Sequence, residues 1–98
     1  MRTTKFYIGI NIKTIDGFDN IGKFYIGNNR EAVSKIFTQL QGSPKVTEKS
    51  MLTLELMETI HNLPINLHLI SCTLEELAYN CRTITKEVFL EKNMSELQ

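Results

Sequence analysis

The side chains that could do chemistry are few, and the first pair among them is Glu55 with His68. If Leu52 to Ser71 folds as a β-hairpin around a two-residue loop at His61-Asn62, Glu55 lies opposite His68 with β-carbons about 5 Å apart. A carboxylate beside an imidazole orients the ring and raises its pKa, the beginning of general acid/base chemistry. The same pair also reads as a cross-strand ion pair on a wet sheet, and the sequence shows no nucleophile, oxyanion donor pair or pocket around it. His61, His68, Cys72 and Cys81 supply four metal-ligating side chains, but their spacing opposes a site. His68 and Cys72 lie about 13 Å apart along an extended strand, whereas ligands must sit within about 2.3 Å of one metal. No metal and no cofactor is expected.

Tyr7 and Tyr25, flanked by Lys5, Lys13 and Lys23, have the residue types of a base-stacking platform on a sheet. The strand order read below is not that of the common RNA-recognition module, its motif is absent, and Gly27-Asn28-Asn29-Arg30 is no helical reader. The formal net charge is zero, so no global field draws in a polyanion or a membrane surface. No phosphate-cradling glycine loop and no serine-nucleophile elbow is present.

The elements that must position these residues follow from hydrophobic periodicity. Phe6, Ile8, Ile10 and Ile12 alternate with Tyr7, Gly9 and Asn11, which predicts a half-buried strand over Lys5–Lys13. Asp16-Gly17 and Asp19-Asn20 supply turn chemistry, and a second strand is expected over Gly22–Gly27. That strand repeats Lys-Phe-Tyr-Ile-Gly from residues 5 to 9 at residues 23 to 27, so both copies are expected to turn Phe and Ile inward.

Asn28 with Glu31 three residues on predicts a capping box, followed by a helical stripe of Ala32, Val33, Ile36, Phe37 and Leu40 and a stop at Gly42-Ser43-Pro44. Lys45 to Ser50 reads as a polar connection. In the hairpin from Leu52 to Ser71, Leu56 is expected opposite Leu67 and Leu54 opposite Leu69, all on one side. A helical period over Ser50–Asn62 competes with the strand reading. Thr73 with Glu76 predicts a second capping box, opening a helix that carries Leu74, Leu77, Ala78, Cys81, Ile84, Val88 and Phe89 to about Lys92, with 92–98 fraying.

The predicted fold is therefore α+β, a two-layer sandwich in ββαββα order, with a four-stranded antiparallel sheet and both helices on one face. A chain of 98 residues is expected to be one domain over 1–98 with a real core. Hydrophobic residues at 42% and charged residues at 22% argue against disorder along the whole length. Two cysteines without a framework, no apolar run of spanning length and no leader-like start point to a cytoplasmic protein. The charges are unevenly spread: residues 1–50 hold eight cations against four anions, and residues 51–98 hold three against seven.

On the uncovered face of such a sheet, Tyr7, Tyr25, Met51, Met57 and Ile70 are expected to form an apolar patch bordered by charge. Scattered apolar residues are also normal on a small domain. As a whole the chain resembles many small bacterial α/β proteins, and no residue motif ties it to a family with a known activity. The expectation is an interaction domain without catalysis of its own, self-associating as a homodimer through that face or an edge strand, with another protein partner as an option. The alternatives are a small-molecule binder or enzyme using Glu55 and His68 in a pocket at a subunit interface, and a weak single-stranded nucleic-acid binder through Tyr7 and Tyr25.

Overall fold

The computed structural model describes residues 4–96. Its elements are β1 (Thr4–Thr14), β2 (Gly17–Gly27), α1 (Arg30–Thr38), β3 (Leu52–Ile60), β4 (Leu63–Cys72) and α2 (Leu74–Glu96). The four strands form one antiparallel sheet in the order β2-β1-β3-β4. The α+β class and the ββαββα sequence of elements are those the periodicity predicts, and Leu52–Ile60 is strand rather than helix.

Alternation decides which side chains meet. In the central pairing Ile8 lies opposite Leu56 and Ile10 opposite Leu54, so one side of the sheet is aliphatic at its middle. Phe6, Ile8, Leu54 and Leu56 are buried there in one cluster with Ile26 of β2, Val33 and Ile36 of α1 and Ile84 of α2. Phe37, Leu40, Leu77 and Val88 pack against the same cluster. This is the core side of the sheet.

The first hairpin is longer and tighter than its sequence suggests. The chain reverses at Ile15-Asp16, with Thr14 opposite Gly17, so Asp19-Asn20 lies within β2 and makes no turn. The Asp16 amide donates to Thr14 Oγ1 at 3.2 Å, and Gly17 takes φ of 129°, a value that favours glycine. Two register shifts leave Ile21 and Ile26 as extra residues on β2.

A third shift corrects the central hairpin. The loop is His61-Asn62 as expected, both with positive φ (51° and 68°), the backbone of a type I′ turn. Pairing then runs from Ile60 with Leu63 to Met57 with Asn66, where Leu67 bulges, and resumes with Leu56 opposite His68. Beyond the bulge every residue of β4 is moved by one and changes side. Leu54 therefore faces Ile70, and not Leu69, while Glu55 faces Leu69, and not His68. The exchange brings Ile70 and Cys72 onto the core, with Leu67 still packed against it from the bulge.

The helices start as capping predicts, with one displacement. The cap of α1 is Asn29, one residue after the expected Asn28: Asn29 Oδ1 accepts from the Ala32 amide at 3.2 Å. At α2 the capping box is present in full, the Thr73 amide donating to Glu76 Oε1 at 2.9 Å and the Glu76 amide to Thr73 Oγ1 at 3.1 Å. The helix continues to Glu96, past the end expected near Lys92; Leu97 and Gln98 lie outside the described residues. Phe89, expected on the inner stripe, is 63% exposed.

The link from α1 to β3 is fastened at four points, Gln41, Ser43, Lys45 and Glu48. Fully buried Asn80 of α2 grips the backbone of Gln41, accepting from its amide and donating to its carbonyl, both at 2.7 Å. Ser43 and Ser71 exchange backbone hydrogen bonds of 2.9 and 2.8 Å at the edge of β4. A Cβ on Gly42 would lie 2.6 Å from the Ser71 carbonyl oxygen, so only glycine fits this approach. The Lys45 carbonyl then accepts from Ser71 Oγ, and the Glu48 carbonyl from Lys13 Nζ.

Two stability predictions follow from these contacts. Asn80→Ala removes both of its bonds to Gln41, leaving the carbonyl only the weak Cys72 thiol, and is expected to cost about 2–3 kcal/mol, read as a lower urea midpoint at unchanged m-value. Conversely, His61→Asn with Asn62→Gly gives the turn its preferred residues and should raise stability by about 0.5–1 kcal/mol; an unchanged midpoint would contradict the turn assignment.

Candidate interaction surface

The side of the sheet away from the core carries two adjacent rows of side chains. In the first, Tyr25 of β2, Tyr7 of β1, Met57 of β3 and Asn66 of β4 stand in line; in the second, Lys23, Gly9, Glu55 and Leu69 do. The repeated Lys-Phe-Tyr-Ile-Gly segment explains the first row, because antiparallel pairing of its two copies sets Tyr7 directly opposite Tyr25. Their ring centroids are 6.0 Å apart with the planes tilted by 56°, within the range of favourable aromatic pairs. The Lys92 ammonium of α2 reaches to 5.9 Å from the Tyr25 ring centroid around the β2 edge.

Gly9 leaves a gap in the second row. Tyr7, Gly9, Lys23, Met57, Thr59, Asn62 and Pro64 line a hollow of about 240 Å³ there. A third row, Asn20, Asn11, Thr53 and Ser71, closes the surface at its other end. Asn20 Nδ2 donates to Asn11 Oδ1 at 3.1 Å, and the segment at 43–48 is tied to Ser71 and Lys13 on either side of Thr53. Thr53 is accordingly only 3% exposed, on a side of the sheet that alternation alone would leave open.

This arrangement gathers part of the expected patch. Tyr7, Tyr25 and Met57 come together. Met51 does not: it precedes β3, its carbonyl accepting from the Lys13 amide at 2.8 Å, about 20 Å along the strand from Met57. Ile70 lies on the core side opposite Leu54, because the bulge at Leu67 turns it over. The same bulge brings Leu69 to the outer surface, where it is 37% exposed. Alternation alone places Leu69 on the core side, and the bulge at Leu67 carries no residue signature in the sequence.

The polar pair is separated by the sheet itself. Glu55 Oε2 accepts from Asn66 Nδ2 on the outer side. The His68 ring stacks on Phe37 of α1 on the core side, centroids 5.4 Å apart and planes 22° from parallel. The carboxylate therefore does not orient the imidazole, and Glu55 and His68 do not form the expected acid/base pair. A second carboxylate, Glu58, is buried on the core side, where Arg30 Nη2 meets its Oε2 at 2.7 Å. Arg30 also lies 5.5 Å from the Phe6 ring centroid. A buried charge requires such a partner, and the pair is a structural one.

Among the described residues no three His, Cys, Asp or Glu side chains group as a metal set, and no helix is long and apolar enough to cross a membrane. Cys72 is engaged by Asn80 Nδ2 at 3.5 Å, and it donates to the Gln41 carbonyl at 3.6 Å. Burial, then the nearby Glu76 carboxylate, push its thiol up from 9.0 to about 11; burial also raises Cys81. A larger hollow of about 420 Å³ lies where β2 meets α1, between Tyr25, Asn28, Asn29, Ala32, Val88 and Lys92. No protein-family model, curated protein or solved structure matches this chain.

The raised Cys72 pKa has a direct consequence. The folded state holds the thiol proton more tightly than the unfolded one, so this group's contribution to stability is complete below pH 9.0 and is lost as pH rises toward about 11. In a Cys81→Ser variant at pH 8, iodoacetamide should modify Cys72 at least about tenfold more slowly in the folded protein than in urea, the smaller thiolate fraction being partly offset by a more nucleophilic thiolate. Equal rates would show a thiol open to solvent.

Proposed function

We propose that this chain is a small interaction domain that self-associates through the outer side of its sheet and has no catalytic chemistry of its own. The reading takes the fold as a two-layer sandwich, with α1 and α2 together covering the core side. Val33, Ile36, Leu77, Ile84 and Val88 support this, since both helices pack into the one cluster with Phe6, Ile8, Leu54 and Leu56.

The observation that carries the reading is the row Tyr25, Tyr7, Met57 beside the row Lys23, Gly9, Glu55, Leu69. Tyrosine and methionine are enriched at the centres of protein interfaces, where they bury large areas at low conformational cost. The tilt of the two rings presents one joint apolar surface rather than parallel faces for bases, which favours a protein partner over a nucleic acid. The charges fit a second copy of the chain. Lys23 lies on β2 and Glu55 on β3, so a twofold axis running along the strands sets the lysine edge of one sheet over the glutamate of the other.

Sedimentation equilibrium tests this. Tyr25→Glu places a charge in the middle of the row and is expected to weaken self-association by about tenfold or more. Identical association of the wild type and the variant, or a wild type that stays monomeric at high micromolar concentration, removes the reading.

A further inference from the structure

The Lys-Phe-Tyr-Ile-Gly repeat also shapes the free edge of β2, through backbone groups that the outer side of the sheet does not use. In an antiparallel ladder the amide and carbonyl of one residue point to the same side, and the side alternates along the strand. The Lys13 amide donates to the Met51 carbonyl, so Lys5, Tyr7 and Gly9, of the same parity, turn their backbone groups toward β3. Lys23 and Tyr25, opposite Gly9 and Tyr7, therefore turn theirs away from β1, and among the described residues these groups meet no partner. The same rule sends the groups of Ser71 outward at the other edge, where Ser43 meets them. At Lys23-Phe24-Tyr25 the β2 edge thus offers what Lys5-Phe6-Tyr7 offers to β3. On β1 that edge holds Thr59, Glu58 and Met57, with Leu56 next in line opposite Ile8. The counterpart of Ile8 in the repeat is Ile26, and no strand lies beside it. In that place is the hollow of about 420 Å³ lined by Tyr25, Ile26, Ala32, Val88, Glu91 and Lys92.

We propose that the β2 edge takes up an extended segment of a partner protein as a fifth strand, antiparallel to β2, with an aliphatic side chain in this hollow and acidic residues beside it. The molecule's own β3, seated on the repeat's other copy, shows the chemistry that fits: Leu56 stands at the position of the hollow, and Glu55 and Glu58 flank it. Lys23 and Lys92 are the cations at this edge, and Lys92 reaches around it to 5.9 Å from the Tyr25 ring centroid, where it can meet a carboxylate of the incoming strand. A second copy of the chain suits the edge less well. A twofold axis pairing two β2 edges at Tyr25 brings the two Lys92 side chains together, whereas a single extended segment brings none. Only Gly22 to Tyr25 runs regular between the register shifts at Ile21 and Ile26, so the contact is short and of the transient kind.

The probe is a capped, fluorescently labelled peptide of the β3 sequence Thr53–Thr59, titrated with the full chain and followed by anisotropy. Saturable binding at high micromolar concentration is expected. Lys23→Pro deletes one outward amide and leaves the β1 ladder intact, since proline is tolerated on an edge where the N–H faces solvent; it should weaken binding about tenfold or more. Leu56→Asp in the peptide should do the same, and Ala32→Leu in the chain, which narrows the hollow, should weaken binding several-fold. The peptide variant leaves the chain unaltered, so the test stands even if a chain variant folds poorly, and it is independent of self-association through the outer side. No binding of the unmodified peptide at millimolar concentration, or indifference to Leu56→Asp, overturns the proposal. Binding that survives Lys23→Pro overturns it too, as that is the behaviour of a peptide displacing β3 from β1. So does self-association that Lys23→Pro abolishes in a chain that takes up no peptide, because the occupant is then a second copy.

Discussion

The pairing of β1 with β3 is the constraint on which the rest of the structure depends. Each of these strands belongs to its own hairpin, and an isolated two-stranded hairpin is at best marginally stable in water. Joining the hairpins along β1 and β3 completes the backbone ladder and at the same time brings Ile8 against Leu56 and Ile10 against Leu54. Full burial of each such aliphatic side chain contributes about 1.5–3 kcal/mol, so backbone and core are stabilised by the same event. The two strands are separated in sequence by β2, α1 and a long connection, and the cost of closing that loop precedes the reward. Gln41 and Ser43, held by Asn80 and Ser71, define the path of that connection once it has closed.

Polar groups drawn into this core are each answered by a specific partner. Glu58 stands opposite Phe6 in the β1–β3 register, on the side that carries the aliphatic cluster, and alternation gives it no route to water. Arg30, at the first position of α1, meets it and also covers the Phe6 ring. The entry of α1 is thereby tied to the middle of the sheet by a charge. Asn80 does for α2 what Arg30 does for α1, with an amide in place of a guanidinium. Among the described residues no buried side-chain nitrogen or oxygen lacks a partner, as expected where unsatisfied polar atoms cost about 1–3 kcal/mol each.

Periodicity and capping made much of this legible from sequence. The alternation at Phe6–Ile12 and Leu52–Ile60, the turn at His61-Asn62 and the Thr73/Glu76 box each name an element through a local rule, and each element is found. What local rules do not contain is the bulge. One extra residue at Leu67 keeps the hairpin and its loop but turns over His68, Leu69 and Ile70, which dissolves the Glu55–His68 pair and exchanges Ile70 for Leu69 on the outer surface. The bulge lets Ile70 and Cys72 pack against the core and sets His68 on Phe37, and their partners, Leu54 of β3 and Phe37 of α1, are remote in sequence from Leu67. Phe89 escaped for a related reason. A stripe of seven apolar residues on α2 is wider than the strip the sheet can cover, and the period alone does not say which margin is left outside.

Topology also gives meaning to the uneven charge. Residues 1–50 are net basic and residues 51–98 net acidic, a difference that an interleaved strand order would have mixed. The order β2-β1-β3-β4 keeps the strands of each half adjacent, so Lys5 and Lys23 stand on one side of the outer surface and Glu55 on the other. The sheet is thereby polar across its strands while the chain as a whole is neutral. Such a polarity contributes little binding energy through exposed pairs, which are worth about 0–1 kcal/mol each. Its effect is on orientation: two copies meeting with like halves together bring lysine to lysine, and only the rotated arrangement brings lysine to glutamate. On this surface the apolar residues set how strongly a second copy could be held, and the charges set which way round it would sit.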